Sequence, residues 1–239
     1  MQQRAWLIGL AGAAAVAWIQ LDGVHAAARA WAVALLVVLP ALLIVEGRRL
    51  REVDTLPRTQ AYTSSMASLW LLALATLGIA RLSGIGLADL GLTSLPPLRT
   101  VGLAALLTTA GVAILFLFRM LGMREAPILH QLLPHSQRDR ILFVGVSLTA
   151  GICEEIIFRG FLIHVLDTVA PMSIALLLSS GAFGVAHAYQ QPVGALRAAL
   201  LGLVLAVPFV LHGSIVPAII AHAAIDLLSG LWLARWLLR

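Results

Sequence analysis

The chain contains no lysine, one cysteine and only 11% charged residues in 239 positions. A soluble domain is ordinarily about a quarter charged and about 45–50% apolar. This chain is 61% hydrophobic, with a mean hydropathy of +0.98. So little charge excludes a soluble globular domain, and the length goes into membrane spans with no room for a separate globular unit. The lone cysteine, Cys153, excludes an intrachain disulfide and reads as a small buried hydrophobe. With lysine missing, all sixteen basic residues are arginine, and most lie in connecting segments. The net charge of +5 is therefore a signal of topology and not a nucleic-acid patch. There is no internal repeat.

What the chain does have is apolar runs about 20 residues long, the length that crosses a bilayer. Eight are expected, over 5–21, 27–45, 62–80, 100–118, 141–166, 172–189, 193–211 and 215–236. The expected fold is all-α: a polytopic membrane protein of about eight transmembrane helices forming a single membrane domain. Pro40 and Pro208 fall inside spans, where neighbouring helices compensate for the lost hydrogen bond. The first run has a weak signal-peptide look, with Arg4 before it and Val24-His25-Ala26 after it. It reaches Leu21 and further spans follow, so a retained first helix is expected. Polar segments occupy 46–61, 81–99 and 119–140; the middle one, with Gly84, Gly86, Gly91, Pro96 and Pro97, reads as an irregular loop or an interfacial segment.

Arginine placement gives an orientation. With the N-terminus inside, the inner segments hold Arg4, Arg48, Arg49, Arg51, Arg58, Arg119, Arg124, Arg138, Arg140, Arg235 and Arg239. The outer segments hold Arg29, Arg81 and Arg99. Eleven against three puts both termini in the cytoplasm.

Against this apolar background, three of the eleven acids fall well within spans: Glu154, Glu155 and Asp226. Two of the seven histidines, His187 and His222, do as well. Ionisable groups inside a membrane are expensive and mark functional sites by default. Residues four apart share a helix face, so Glu155 and Arg159 are expected to pair and neutralise each other. Glu154 projects about 100° away on an α-helix and has no local partner. Spans five and six form a hairpin turning at Ala170-Pro171, with Glu154 and His187 each roughly 25 Å along the helix from that turn. They are therefore level, toward the cytoplasmic half. His222 and Asp226, also four apart, present one polar face from the last span; His222 enters somewhat shallower, and helix tilt or a dipping loop has to close the gap. Ser180, Gly184 and Ala188 make a small-residue ladder expected to bring His187 close to Glu154.

These residues resemble the three motifs of the CAAX prenyl endopeptidase and bacteriocin-processing (CPBP, or Abi) family of intramembrane proteases. The motifs are Glu154-Glu155-x-x-x-Arg159, then Phe183-x-x-x-His187, then His222-x-x-x-Asp226, with Phe158-Arg159-Gly160-Phe161-Leu162 extending the first. The resemblance covers about the last hundred residues, so 139–239 is read as a catalytic core and 1–138 as helices of unclear role. It implies an intramembrane metalloendopeptidase in which Glu154 activates water, aided by His187, with Glu155, Arg159 and Phe183 supporting. His222 and Asp226 then hold a metal or stabilise the oxyanion, and a zinc site on His187, His222 and Asp226 is the expected cofactor. Many relatives carry Asn where this chain has Asp226; an amide donates to an oxyanion and an ionised carboxylate does not. Asp226 is accordingly expected to bind metal or orient His222.

The expected substrate is a membrane-embedded or membrane-associated peptide, lipidated or leader-bearing, met in the lipid bilayer; no nucleic-acid partner is expected. The all-arginine basic set and short loops point to a prokaryotic inner membrane, which speaks against a prenylated substrate. Two other classes compete: a proton- or ion-coupled transporter using the same carboxylates and imidazoles as a relay, and a catalytically silent membrane scaffold. The transporter lacks a matching pair of broken helices in the first half, and the scaffold has no need of every motif residue.

Overall fold

Inside a bilayer no water satisfies the backbone, so an apolar segment has to bond its own N–H and C=O groups, and it does so as a helix. The computed structural model describes residues 2–50, 57–123 and 126–234, and every regular element among them is helical. Arg51, Arg124, Arg235 and Arg239 from the orientation argument, and the expected end of the last span at residue 236, lie outside the described residues.

In chain order the helices are α1 (Gln2–Gln20), α2 (Ala26–Arg49), α3 (Arg58–Leu82), α4 (Pro97–Met120) and the short α5 (Pro127–Leu132). They continue with α6 (Gln137–Asp167), α7 (Met172–Ala186), α8 (Gln191–Leu205), the short α9 (Val207–His212) and α10 (Val216–Leu233). Among the described residues six stretches are long and apolar enough to cross a membrane: α2, α3, α4, α6, the run Ala188–His212 and α10. The other two expected spans appear as shorter apolar helices, in α1 and α7. At 15 residues α7 is about 22 Å long, short of the ~30 Å hydrocarbon thickness. The expected sixth span ran on to Tyr189. Instead the helix stops at Ala186, His187 leaves helical geometry (φ −94°, ψ 14°), and a 3-10 turn, Ala188–Gln190, leads into α8.

Helix α6 is the centre of the bundle: 44% of its span window is buried, more than in any other of the six. Its start is fixed locally by a capping box, in which Ser136 Oγ accepts from the Asp139 amide (3.0 Å) and Asp139 Oδ2 accepts from the Ser136 amide (3.1 Å). Arg58 on α3 clamps the same corner, donating to the Gln131 carbonyl at 2.7 Å and lying 3.7 Å from Asp139. The Tyr62 hydroxyl donates to the Leu132 carbonyl beside them. From there α3 packs along one side of α6 and α10 along another, α7 meets its last turns, and α4 backs α10.

Two glycines set how closely α6 is approached. A Cβ at Gly151 would stand 2.9 Å from the Ile219 carbonyl oxygen, so the backbones of α6 and α10 meet there. A Cβ at Gly160 would stand 2.7 Å from the Leu90 carbonyl oxygen. Leu90 belongs to the 81–99 segment, which is an ordered loop: Leu90 is buried, the Ile215 amide donates to the Gly91 carbonyl (2.8 Å), and Ser214 Oγ donates to the Thr93 carbonyl (2.7 Å).

Three helices carry π-helical stretches, Ala34–Val38 in α2, Glu155–Leu162 in α6 and Leu228–Leu233 in α10. The first lies just before Pro40, where the Leu39 amide bonds five residues back to Ala34 and accommodates the missing proline donor. The second starts at the paired acids. Single-turn π segments occur mostly as interruptions of α-helices, often at functional sites.

Candidate active site

Glu154 is the last residue of the α-helical part of α6 and Glu155 the first of the π stretch. That junction directs the two carboxylates differently. Glu155 turns into the bundle, fully buried; its Oε1 is ion-paired with Arg159 Nη1 at 3.1 Å and accepts from His222 Nδ1 at 2.7 Å. The expected ion pair is present, with Arg159 1% exposed. The link to His222, 67 residues away, is additional. Glu154 stays free of any such pair. Its Oε2 is buried with no hydrogen-bond partner, 3.7 Å from His222 Nε2. Asp226 approaches the same ring nitrogen from one turn along α10, with Oδ2 at 3.9 Å. The gap anticipated for His222 is closed: the ring reaches Glu154 across the α6–α10 contact.

The tautomer of His222 follows from its partners. A carboxylate only accepts, so Nδ1 carries the hydrogen given to Glu155, and Nε2 is the ring nitrogen left to face Glu154 and Asp226. His187 is held in the same sense: its Nδ1 lies 2.9 Å from the Phe183 carbonyl, which also only accepts. Among the described residues no hydrogen bond or ion pair joins His187 directly to Glu154. The connection runs through Phe183, whose ring centroid is 4.6 Å from His187, 5.9 Å from His222 in an edge contact, and 5.2 Å from Phe158. The Arg159 guanidinium lies over the same ring at 4.1 Å, a cation–π contact away from water. Phe183 therefore braces both imidazoles and the ion pair at once.

Three features depart from the sequence reading. His187 sits just past the end of α7 and not well inside a span, because the helix breaks there. The small-residue ladder faces α8 and not α6: a Cβ at Gly184 would stand 2.6 Å from the Ala195 carbonyl oxygen, and one at Gly202 3.1 Å from Ser180 Cβ. Ala188 lies beyond the helix. Ser179, not singled out before, is buried and donates to the Phe158 carbonyl at 2.7 Å. That carbonyl lies within the π stretch, and a serine inside an otherwise apolar helix is the signal that could have found it.

The turn after α7 also belongs here. Tyr189 and Gln190 bond to each other at 2.9 Å, and Gln190 bonds to Arg197 at 3.0 Å. Gln191 has φ +65°, the one positive φ at a non-glycine among the described residues. Such a conformation costs of order 1–3 kcal/mol and persists where surrounding structure over-determines it.

The donors suit a metal in kind more than in placement. Metal-binding histidines ordinarily give their second ring nitrogen to a carboxylate or a carbonyl, as His222 and His187 do. The 3.7 and 3.9 Å spacings about His222 Nε2 are near the ~3.4 Å that separates two ligands of one tetrahedral zinc. Yet among the described residues no three His, Cys, Asp or Glu side chains form a group placed to hold an ion.

Comparison with known proteins bears on the same helices. Residues 136–228 match the family described as type II CAAX prenyl endopeptidase Rce1-like. The match starts at the Ser136 cap and ends in α10, so it encloses Glu154, Glu155, His187, His222 and Asp226. Helices α1–α5 lie outside it. No curated protein and no solved structure matches the chain.

Proposed function

We propose, from the premise that residues 136–228 belong to the Rce1-like family, that this integral membrane protein is an intramembrane endopeptidase. It hydrolyses a peptide bond of a membrane-associated substrate, lipidated or leader-bearing. The observation that carries this reading is Glu154 Oε2, buried, without a hydrogen-bond partner, and facing His222 Nε2 across 3.7 Å. A group left unsatisfied inside a bundle is costly, and a water between Glu154, His222 and Asp226 removes that cost while lying where a base is needed.

The chemistry follows from the donors and acceptors. Glu154 takes a proton from the water, whose oxygen attacks the carbonyl carbon of the substrate. The proton then passes from Glu154 to the departing nitrogen as the C–N bond breaks, leaving a carboxylic acid and an amine. Glu155 and Arg159 hold His222 in one tautomer and orientation, while Phe183 holds His187 beside it. Asp226 orients His222. A divalent metal, zinc, is part of the proposal on donor chemistry alone and not on placement: His187, His222 and Asp226 would have to close together to hold it, and when bound it would polarise the scissile carbonyl or the water.

Purified protein in proteoliposomes, offered a farnesylated C-terminal peptide and an unlipidated leader peptide, tests this. Glu154→Ala is expected to abolish cleavage and to keep the parental melting temperature, because no partner loses its hydrogen bond. Cleavage surviving in Glu154→Ala would remove Glu154 as the base, whereas a Glu154-dependent proton flux without cleavage would transfer the site to the transporter reading. Metal content of the purified protein, with chelator sensitivity, tests the zinc. The arginine distribution supports an orientation with both termini cytoplasmic, and the all-arginine basic set with short loops supports a prokaryotic inner membrane; an N-terminal reporter found on the outer face would reverse that orientation.

A further inference from the structure

The centre of the site is rich in acceptors. Both imidazoles have committed their Nδ1 hydrogens, to Glu155 and to the Phe183 carbonyl, and the carboxylates of Glu154 and Asp226 only accept when ionised. Hydrolysis of a peptide bond puts negative charge on the carbonyl oxygen, and that oxygen needs a donor aimed at it.

A donor is supplied by the turn after α7. Arg197, buried on α8, contacts the Gln190 side chain at 3.0 Å. A guanidinium only donates, so the atom it meets is Gln190 Oε1 and the amide nitrogen points the other way. That nitrogen lies 2.9 Å from Tyr189 Oη and gives it a hydrogen bond. The phenol oxygen is thus an acceptor toward Gln190, and its own hydrogen has no second partner among the described residues. The ring lies 6.0 Å from that of His187, tilted by 31°, so the phenol stands beside the site's second imidazole. The turn is closely fitted: a Cβ at Gly194 would come within 3.0 Å of Gln190 Oε1, and one at Gly47 within 3.1 Å of Tyr189 Cα.

We propose that Tyr189 is a further catalytic residue, donating its phenolic hydrogen to the oxygen that becomes negative in the tetrahedral intermediate. Gln190 and Arg197 are its positioning residues. No covalent bond to Tyr189 forms; it gives a hydrogen bond that strengthens as charge develops and relaxes when the C–N bond breaks. This role supplies a hydrogen-bond donor, which Asp226 as an ionised carboxylate cannot be, and it rests on the peptidase reading above.

The test compares parent, Tyr189→Phe, Gln190→Leu and Glu154→Ala in proteoliposomes, with the farnesylated and leader peptides as probes. Losing one oxyanion donor lowers kcat by about 10²–10³-fold, and that is expected for Tyr189→Phe, with KM within about twofold of the parent. Gln190→Leu keeps the phenol and loses its aim, so a fall of about tenfold in kcat is expected, again without a matching change in KM. Melting temperatures are measured alongside; a purely structural role would lower them and leave the kcat-to-KM split unmoved. If Glu154→Ala is inactive while Tyr189→Phe keeps kcat within about threefold of the parent, the role of Tyr189 is overturned and the peptidase reading stands. If Glu154→Ala cleaves like the parent, the reading beneath it falls instead.

Discussion

At the scale of single residues, Glu155 does more than neutralise Arg159. Its Oε1 is shared between the guanidinium and His222 Nδ1, so one carboxylate both balances a buried charge and sets the tautomer of a site histidine. Removing one partner of a buried pair costs about 3–5 kcal/mol, because the other charge is left uncompensated. Glu155→Ala is therefore expected to lower the melting temperature in detergent and to abolish cleavage with it. Glu155→Gln retains an acceptor for His222 and should fold better than the alanine variant, and a thermal-shift series on the two checks this. Arg159→Ala is expected to be destabilised similarly, with the added loss of the contact over Phe183. The ion pair was legible because four residues separate its members on one helix. The bond to His222 was not, since it joins helices 67 residues apart through a rotation that the π stretch introduces.

Between elements, glycine positions decide whether the site closes. At Gly151 a Cβ would meet the Ile219 carbonyl at 2.9 Å and the Ala223 amide at 3.0 Å, both backbone atoms that cannot step aside. Those positions flank His222 on α10. Gly151→Ala is expected to push α10 off α6 and draw His222 away from Glu154, and a misplacement of about 1 Å can cost 10²-fold in rate. Cleavage by this variant should fall about 10²-fold or more, while circular dichroism keeps its helical signal; parental activity would mean that the helix contact does not set the site. Hydropathy located the apolar segments well, including every helix that carries a motif. It could not show where they break. Helix α7 stops at Ala186, a 3-10 turn follows, and then come a positive φ at Gln191 and Pro192 opening α8; none of these features disturbs an apolar average. The ladder of small residues was recognised and given the wrong neighbour: a small-xxx-small pattern says that some helix comes close and carries no information about which one.

On the scale of the whole molecule, the family match leaves α1–α5 unassigned, yet they are not a detachable appendage. Helix α3 lies along α6 and contacts its π stretch, α4 lies along α10 and α8, and α2 packs against both α7 and the turn that carries Tyr189. The main apolar core mixes the two halves, joining Leu21, Ala28, Ala32, Leu35, Ala73 and Leu90 to Ile157, Phe161 and Ala175. A fragment of residues 136–239 would expose those surfaces of α6 and α10 to lipid. Lipid covers apolar atoms as well as protein does, so the hydrophobic effect alone would tolerate the cut; helix packing and hydrogen bonds would not. The capping corner would lose Arg58 and Tyr62 from α3, and Gly160 would lose the Leu90 loop that also holds the start of α10 through Gly91 and Thr93. Expressed alone in membranes, the fragment is expected to insert but to lack cleavage activity and resistance to added protease. Co-expression with residues 1–135 should restore both, since the contacts are non-covalent. A fragment active by itself would show that its helices find the catalytic arrangement without that support, and the first five helices would then need another role.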